Sequence, residues 1–579
     1  MTGDQRRTLR LDRRTLLKGA LAAGGVLAGG AGLGELIAGE GRSSAKVAPP
    51  RQRAPNILVV MVDQLRAPQW FQAGAIAAGL MPNLARLRAG GVSFDGHYTA
   101  ANDCSPSRAA LVTGLYSLQT GCLITGGSTL DPGFETWGTM LREQGYQTWW
   151  FGKWHLTRHD NKWTAARDAG ALEPYGFSGG TFPSPDGGPG QGWRVDPAIA
   201  AQFKAWYAKA PANSPWSTTV SFVNPHDIEW WYTWSNQTTS ERSAPSLVRA
   251  LPGNFETPAQ LVARRKPLLQ LSLQETAAGA YGVVPFDGPG MAKAWLPFMD
   301  LYLKLVREVD SHIGTVMAAL HSRPQIAANT IVVFTSDHGE YGASHGLRGK
   351  GAGVYEEGIK VPLIVNDLRG KLNAAPSQQR TGLTSSVDVA PLLLTLAAGS
   401  DAWRKQSHYA HIAGRHDVAR MLSDPTAPGR PWVLHATDEI LSEFAVEPYA
   451  ANAPPHVTAI RTPKAKYAVY SNWKPNTNTV ETAGQDRELY DYSSANGMLE
   501  VDNLAGHSHL ESTLDAELAS AVRSELRERL PARLQAAVAT GYADYYTTAK
   551  TVALQQAALR LHIEKTEPPS DAHEKLGAQ

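Results

Sequence analysis

A cysteine followed closely by an arginine is the most chemically suggestive segment of this sequence. The segment runs Cys104-Ser105-Pro106-Ser107-Arg108, and the pattern predicts a short helix from Pro106 to Thr113. A group at the start of a helix lies near free N–H donors and the positive end of the helix dipole. The cysteine and the arginine are therefore expected to border a binding site for an anion.

Polar residues also follow four predicted strands. The apolar runs Asn56–Val62 and Thr330–Thr335 lead into Asp63-Gln64 and Ser336-Asp337-His338. Two further runs end at Gly152-Lys153-Trp154-His155 and Asn224-Pro225-His226; we predict strands there over 148–151 and 218–223. Ligand sites of open α/β sheets gather beyond the carboxyl ends of the strands, so these groups are expected to meet.

The remaining patterns predict an α/β fold: a large, mostly parallel central sheet flanked by helices, with a smaller C-terminal antiparallel sheet. Helices are predicted over 82–89, 298–320 and 514–538, long loops over 160–295, and strands of the small sheet over 466–470 and 487–491. The predicted units are an export signal (1–45), a linker (46–55), a catalytic domain (56–400), a C-terminal subdomain (401–545) and a tail (546–579) whose last ten or so residues are expected to be disordered.

The segment from Cys104 to Gly114 resembles the modification signature of the type I sulfatases, in the alkaline phosphatase superfamily. The resemblance implies an alkaline-phosphatase-like fold and conversion of Cys104 to formylglycine. It also implies a formylglycine-generating enzyme that reads Pro106 and Arg108. The hydrated aldehyde would attack the sulfur of a sulfate ester.

The same resemblance implies a divalent cation held by Asp63, Gln64, Asp337, His338 and the modified Cys104. Calcium is the usual ion of the family, and magnesium is the alternative. Many members have a second aspartate where this chain has Gln64. A glutamine carbonyl can still bind the cation, but it carries no charge.

Four further basic residues match positions that contact the sulfate in this family: Lys153, His155, His226 and Lys350. With Arg108 they would neutralise the sulfate oxygens. The resemblance assigns protonation of the leaving alcohol to His226 or Lys350, and places His155 to take a proton from the second diol hydroxyl.

The N-terminus predicts export. Arg13-Arg14 precedes the stretch 19–34, which is rich in Ala, Gly, Leu and Val, as in a twin-arginine signal. The alternative is a membrane anchor, but a span needs ~20 strongly apolar residues. We therefore expect a twin-arginine translocase as a partner and a periplasmic or extracellular location.

Composition narrows the function further. The 579 residues are 43% hydrophobic, the net charge is +2, and there are only two cysteines, Cys104 and Cys122. Nucleic acid is not expected as a partner, and a disulfide scaffold is excluded. The predicted function is hydrolysis of a sulfate ester in a small molecule or carbohydrate.

Two other functions stay open: a phosphonate monoester or phosphodiester hydrolase of the same superfamily, and an inactive binding protein on the same scaffold. Carbohydrate, aryl and choline sulfates are the candidate substrates. Ten of the sixteen tryptophans fall between Trp149 and Trp234. They are expected either to stack on a substrate or to fill loop cores.

Overall fold

A computed structural model describes residues 54–67, 79–157, 170–231, 247–372, 377–441, 448–526 and 530–566 of the chain. The predicted export signal, nearly all of the linker and the last thirteen residues lie outside these ranges. No helix within the described ranges is long and apolar enough to cross a membrane.

The described strands form two sheets. The larger has eight strands in the order β4-β3-β5-β1-β6-β7-β2-β8, and only β7 runs against the others. Its strands are β1 (Asn56–Val62), β2 (Val92–Tyr98), β3 (Gln147–Gly152), β4 (Ser178–Gly179), β5 (Trp216–Phe222), β6 (Thr330–Ser336), β7 (Leu363–Asp367) and β8 (Gln378–Ser385). The prediction of a large, mostly parallel sheet is confirmed.

The smaller sheet is antiparallel, as predicted, with the order β12-β11-β10-β9. Its strands are β9 (Val433–Thr437), β10 (His456–Arg461), β11 (Ala465–Trp473) and β12 (Val480–Asp491).

Fifteen α-helices occur in the described residues. They are α1 (Pro82–Ala89), α2 (Cys104–Thr113), α3 (Ser117–Thr120), α4 (Trp137–Glu143), α5 (Gln191–Ala208), α6 (Pro258–Ala263), α7 (Leu268–Tyr281), α8 (Gly290–His321), α9 (Pro324–Ala327), α10 (Glu356–Ile359), α11 (Val389–Ala398), α12 (Val418–Ser423), α13 (Ala495–Met498), α14 (Glu511–Leu526) and α15 (Ala532–Thr566).

Helices cover both faces of the large sheet, as the continuous apolar strands require. In β1, Ile57, Val59 and Met61 join one apolar core, which includes residues of α2, α4 and α11. The alternate residues Leu58 and Val60 join a second core, which includes residues of α5 and α8. The central strands are therefore fixed from both sides.

Two sequence predictions were wrong. The stretch 160–295 contains α5, α6 and α7 and the start of α8, where long loops were expected. Each of α5 and α8 has a proline inside it, Pro197 and Pro297, and a proline normally ends or kinks a helix. The predicted helix over 514–538 is two helices, α14 and α15, and α15 extends to Thr566.

Candidate active site

Two neighbouring strands place the acidic residues together. β1 and β6 pair in parallel, with Val62 opposite Ser336. Asp63 and Asp337 are the first residues after each strand, so they lie side by side at the carboxyl edge, as predicted. Both side chains are fully buried.

Cys104 is the first residue of α2 and is fully buried beside these acids. Its Sγ lies 3.2 Å from His338 Nε2, 3.6 Å from Lys153 Nζ and 3.8 Å from both carboxylate oxygens of Asp63. The helix begins two residues before the predicted start. Cys104 therefore lies within the first turn, near its N–H donors.

Arg108 and Lys153 are ion-paired to the acids. Asp63 Oδ2 lies 2.9 Å from Arg108 Nη2 and 2.7 Å from Lys153 Nζ, and Arg108 Nε lies 2.8 Å from Asp337 Oδ2. Burial opposes ionisation of Asp63, but the charges of Lys153, His226 and Arg108 outweigh it and hold the pKa of this carboxyl well below its usual range. Asp63 is therefore a carboxylate.

The turn after β3 carries both Lys153, whose Nζ reaches Cys104, and His155. Gly152 has φ +96°, and a Cβ there would collide with the Ser221 carbonyl oxygen of the neighbouring strand, so only glycine fits. His155 is buried with φ 57°, and its carbonyl accepts a 2.8 Å hydrogen bond from the Ser105 hydroxyl. This bond ties the turn to the cysteine helix.

His226 and Lys350 meet on another side of the site. Lys350 Nζ lies 3.1 Å from His226 Nε2, as the motifs suggested, and 2.6 Å from Glu229 Oε1. All three side chains are buried. Sequence reasoning missed Glu229; its spacing of three residues from His226 was the only available signal.

Gln64 is held through each of its polar groups. Its N–H donates to Asp337 Oδ1 at 3.1 Å, and its carbonyl accepts from the Tyr302 hydroxyl at 2.9 Å. The side-chain Nε2 donates to Glu340 Oε2 at 2.5 Å, and Oε1 accepts from Lys350 Nζ at 3.3 Å. Glu340, which the sequence analysis also missed, thereby fixes which end of the amide faces Lys350.

The donor set suits a divalent cation. Asp63, Cys104, Asp337 and His338 each offer a ligand atom, and these atoms all lie within 4.8 Å of one another. Asp337 Oδ2 is buried, and its 2.8 Å ion pair with Arg108 Nε lacks the geometry of a hydrogen bond; within the described part of the chain it accepts no other hydrogen bond. Such a carboxylate oxygen is a suitable ligand for a hard cation.

His338 has its ring oriented for the same purpose. Its Nδ1 lies 3.0 Å from the Gly339 carbonyl, which can only accept, so Nδ1 carries the proton. Burial lowers the pKa of His338, and the neutral ring leaves the Nε2 lone pair facing Cys104 and Asp63. Metal-binding histidines are commonly oriented by a hydrogen bond of this kind.

Comparison with known proteins relates this geometry to a family. The family model described as Sulfatase matches residues 55–400. The uncharacterized sulfatase YidJ of Escherichia coli is 27% identical over 369 residues, which cover 60% of this chain and 68% of YidJ.

Two solved structures share the fold. One is a protein in complex with its substrate D-glucosamine-2-N,6-O-disulfate (TM-score 0.61, 20% identity, 82% of this chain and 99% of that chain). The other is the phosphonate monoester hydrolase of Silicibacter pomeroyi (TM-score 0.60, 22% identity, 82% and 96%). Because the family model covers more than half of the residues, the chain belongs to the sulfatase family and is an enzyme of the sulfatase type.

Proposed function

We propose that this enzyme hydrolyses a sulfate ester of a carbohydrate, with a formylglycine made from Cys104 and a divalent cation. The observation that carries the proposal is the position of Cys104. It lies within 4 Å of a candidate cation ligand on each of two strands and of the ammonium of Lys153. A nucleophile placed there would meet a sulfate whose oxygens are neutralised from several directions.

The cation would be held by Asp63, Gln64, Asp337, His338 and the modified Cys104. Calcium is the proposed ion and magnesium the alternative, since the oxygen-rich donor set suits a hard cation. When bound, it supplies positive charge next to a sulfate oxygen. Gln64 would contribute Oε1, the end of its amide that Glu340 leaves available.

The side chains of the pocket would carry out the remaining steps of the reaction. Formylglycine, once formed and hydrated, would supply a nucleophilic hydroxyl and a second hydroxyl that allows sulfate to leave. Arg108 and Lys153, both fixed by Asp63, bind sulfate oxygens. Lys350 Nζ or His226 Nε2 donates a proton to the leaving alcohol oxygen, and His155 accepts one from the second hydroxyl.

The carbohydrate is proposed from the neighbour that was solved with a sulfated glucosamine and from one exposed aromatic residue. Of the tryptophans between 149 and 231 that the structure describes, five are buried and two are half-buried, so they mainly fill the core. Trp193 is 51% exposed at the start of α5, and its backbone N–H donates to Asp227 Oδ2 at 2.9 Å, one residue from His226. Its indole could stack on a sugar ring.

A second candidate function is hydrolysis of phosphonate monoesters or phosphodiesters. The phosphonate hydrolase shares the fold, and this chain combines His338 with Gln64, which stands where many sulfatases have a second aspartate. The segment Lys153-Trp154-His155, which resembles the sulfate-binding segment of sulfatases, favours the sulfate ester instead.

Maturation and export are also proposed. Formylglycine-generating enzyme would act on Cys104 before folding, because the residue is fully buried afterwards. A twin-arginine route would then carry the folded enzyme out of the cytoplasm. Replacing Arg13 and Arg14 by Lys should leave modified, active enzyme inside the cell; unchanged secretion would contradict this route.

One experiment tests the function. The protein is produced with formylglycine-generating enzyme, and kcat/KM is measured for a sulfate monoester, a phosphonate monoester and a phosphodiester with the same leaving group. We expect the sulfate ester to be fastest. Cys104→Ala should abolish turnover, and Cys122→Ala is the matched control that should retain it. A preference for the phosphorus substrates would establish the second candidate instead.

A further inference from the structure

Glu229 lies where a carboxylate is unexpected in a pocket that binds an anion. It belongs to the 3-10 helix His226–Trp230 and is buried. Its Oε1 is 2.6 Å from Lys350 Nζ, and its Oε2 is 3.6 Å from His226 Nε2. Because a carboxylate repels the anionic sulfate group, Glu229 does not serve to bind that part of the substrate.

The backbone around Lys350 shows why this lysine needs an anchor. Gly349 and Gly351 flank it with φ of 76° and 83°, and Ala352 follows with φ 53°. A lysine has a flexible four-carbon stem and a point charge that does not set its own direction. Lys350 is therefore a long side chain on a loop whose neighbouring glycines allow other conformations.

Glu229, in contrast, lies on a fixed support. The amide of Asp227 donates to Asn224 Oδ1 at 3.2 Å, and Asp196 of α5 accepts from the amides of Val223 and Asn224 at 2.8 and 2.9 Å. These bonds join the short helix to the end of β5 and to α5. A group on this support can hold a mobile partner in one place.

The other side of His226 is also closed. A Cβ at Gly187 would lie 2.5 Å from the imidazole ring, so the backbone of this loop packs directly on His226. The indole Nε1 of Trp230 donates to the Gly187 carbonyl at 2.8 Å. His226 is thus confined by its own helix and by this loop, while Lys350 depends on its partners for its position.

We propose that Glu229 is a positioning residue that holds the Lys350 ammonium against His226 Nε2 at the leaving-group side of the pocket. This inference rests on the proposed function for its kinetic meaning, since the two groups it holds are the candidate proton donors. The carboxylate weakens the attraction of the pocket for sulfate and in return fixes the direction of one donor.

Kinetics with two leaving groups test the proposal. An activated aryl sulfate needs little protonation as its S–O bond breaks, whereas a sugar sulfate needs much. Glu229→Ala should reduce kcat for the sugar sulfate by ~10- to 10²-fold, less than the ~10²- to 10⁴-fold contribution of a general acid, because Lys350 is displaced and not removed. It should affect the aryl sulfate less and should not raise KM for either, because a repulsive charge has been removed.

The Glu229→Gln variant distinguishes a loss of positioning from a failure to fold. The amide keeps the volume and an oxygen that can accept from Lys350, so it should restore part of the lost rate. The matched control is Glu525→Gln, which removes a buried carboxylate paired with Arg415 and Arg430 and outside this pocket. The control should lower stability but leave the ratio of the two rates unchanged.

A crystal structure of the Glu229→Ala protein gives a readout that is independent of turnover. We expect Lys350 Nζ to leave its 3.1 Å contact with His226 Nε2. An unmoved Lys350, or equal losses with the two leaving groups, would overturn the proposal. If the wild type hydrolysed no sulfate ester, the proposed function would fail, and the crystal structure would still decide the positioning role.

Discussion

Replacing Asp63 by Asn tests the electrostatics of the site most directly. The substitution keeps the shape of the side chain and removes one charge. That charge pairs with two buried cations, Lys153 Nζ at 2.7 Å and Arg108 Nη2 at 2.9 Å. Removing one partner of a buried ion pair costs ~3–5 kcal/mol. Lys153 would lose this carboxylate, while Arg108 would keep its ion pair with Asp337.

The loss should be visible as a change in melting temperature. An unfolding entropy of ~2.1 cal/mol/K per residue over 579 residues corresponds to ~0.8 °C per kcal/mol, so Asp63→Asn should lower Tm by roughly 2.5–4 °C in the presence of a chelator. The matched control is Asp310→Asn. Asp310 is also buried, but it accepts hydrogen bonds from the uncharged donors of Asn83 and Leu84. Its replacement should cost less, ~1–3 kcal/mol.

Adding calcium tests the second proposed role of Asp63, as a ligand of the cation. A ligand at ~100 times its Kd stabilises the folded state by ~2.7 kcal/mol. If loss of Asp63 weakens binding by ~10²-fold, the same calcium concentration should add only ~0.4 kcal/mol. Thermal unfolding without calcium measures the loss of the ion pairs, and the rise in Tm on adding calcium measures the loss of cation binding. A variant with the wild-type Tm in chelator, or with the full calcium-dependent rise, would refute this account of Asp63.

Three further predictions follow from other groups. Peptide mass spectrometry should find thiol-to-aldehyde conversion at Cys104 and none at Cys122, and a fully active protein without it would contradict the proposed nucleophile. Asp337→Ala should reduce turnover at least ~10²-fold, which is the scale for losing one main electrostatic stabiliser. It should also lower the bound calcium measured by elemental analysis, and near-normal turnover and metal content would contradict its role as a ligand. Burial lowers the pKa of His97 from 6.5 to about 4, so the unfolded chain binds more protons between these values and stability falls as the pH falls through them. His97→Asn should remove ~2 kcal/mol of the stability difference between pH 7 and pH 5 in denaturant unfolding, and an unchanged pH slope would show that His97 does not contribute.

The sequence was most informative where a strand ends. The apolar run before Asp63 and the one before Asp337 each predict a strand buried on both faces, and polar residues at the ends of such strands meet at one edge. That reasoning, together with the motif at Cys104, was enough to bring Lys153 and His226 to the same place. It needed no knowledge of the loops between them.

Glu229 and Glu340 could not be found in this way. Each is a single carboxylate without a motif, and its significance lies in partners 121 and 276 residues away, Lys350 and Gln64. The helices α5 and α8 were missed or shortened for a different reason. Local propensity argues against a proline inside a helix, and only packing against the sheet outweighs it.

The position of β1 in the sheet sets the order of events during synthesis. β1 lies between β5 and β6, which are made much later, so the pocket cannot close until Ser336 and the following residues have left the ribosome. About 230 residues separate Cys104 from His338. At ~5–20 residues per second, the cysteine segment would stay uncovered for roughly 12 to 50 s. Late completion of the sheet thus gives a modifying enzyme time to reach a side chain that becomes fully buried.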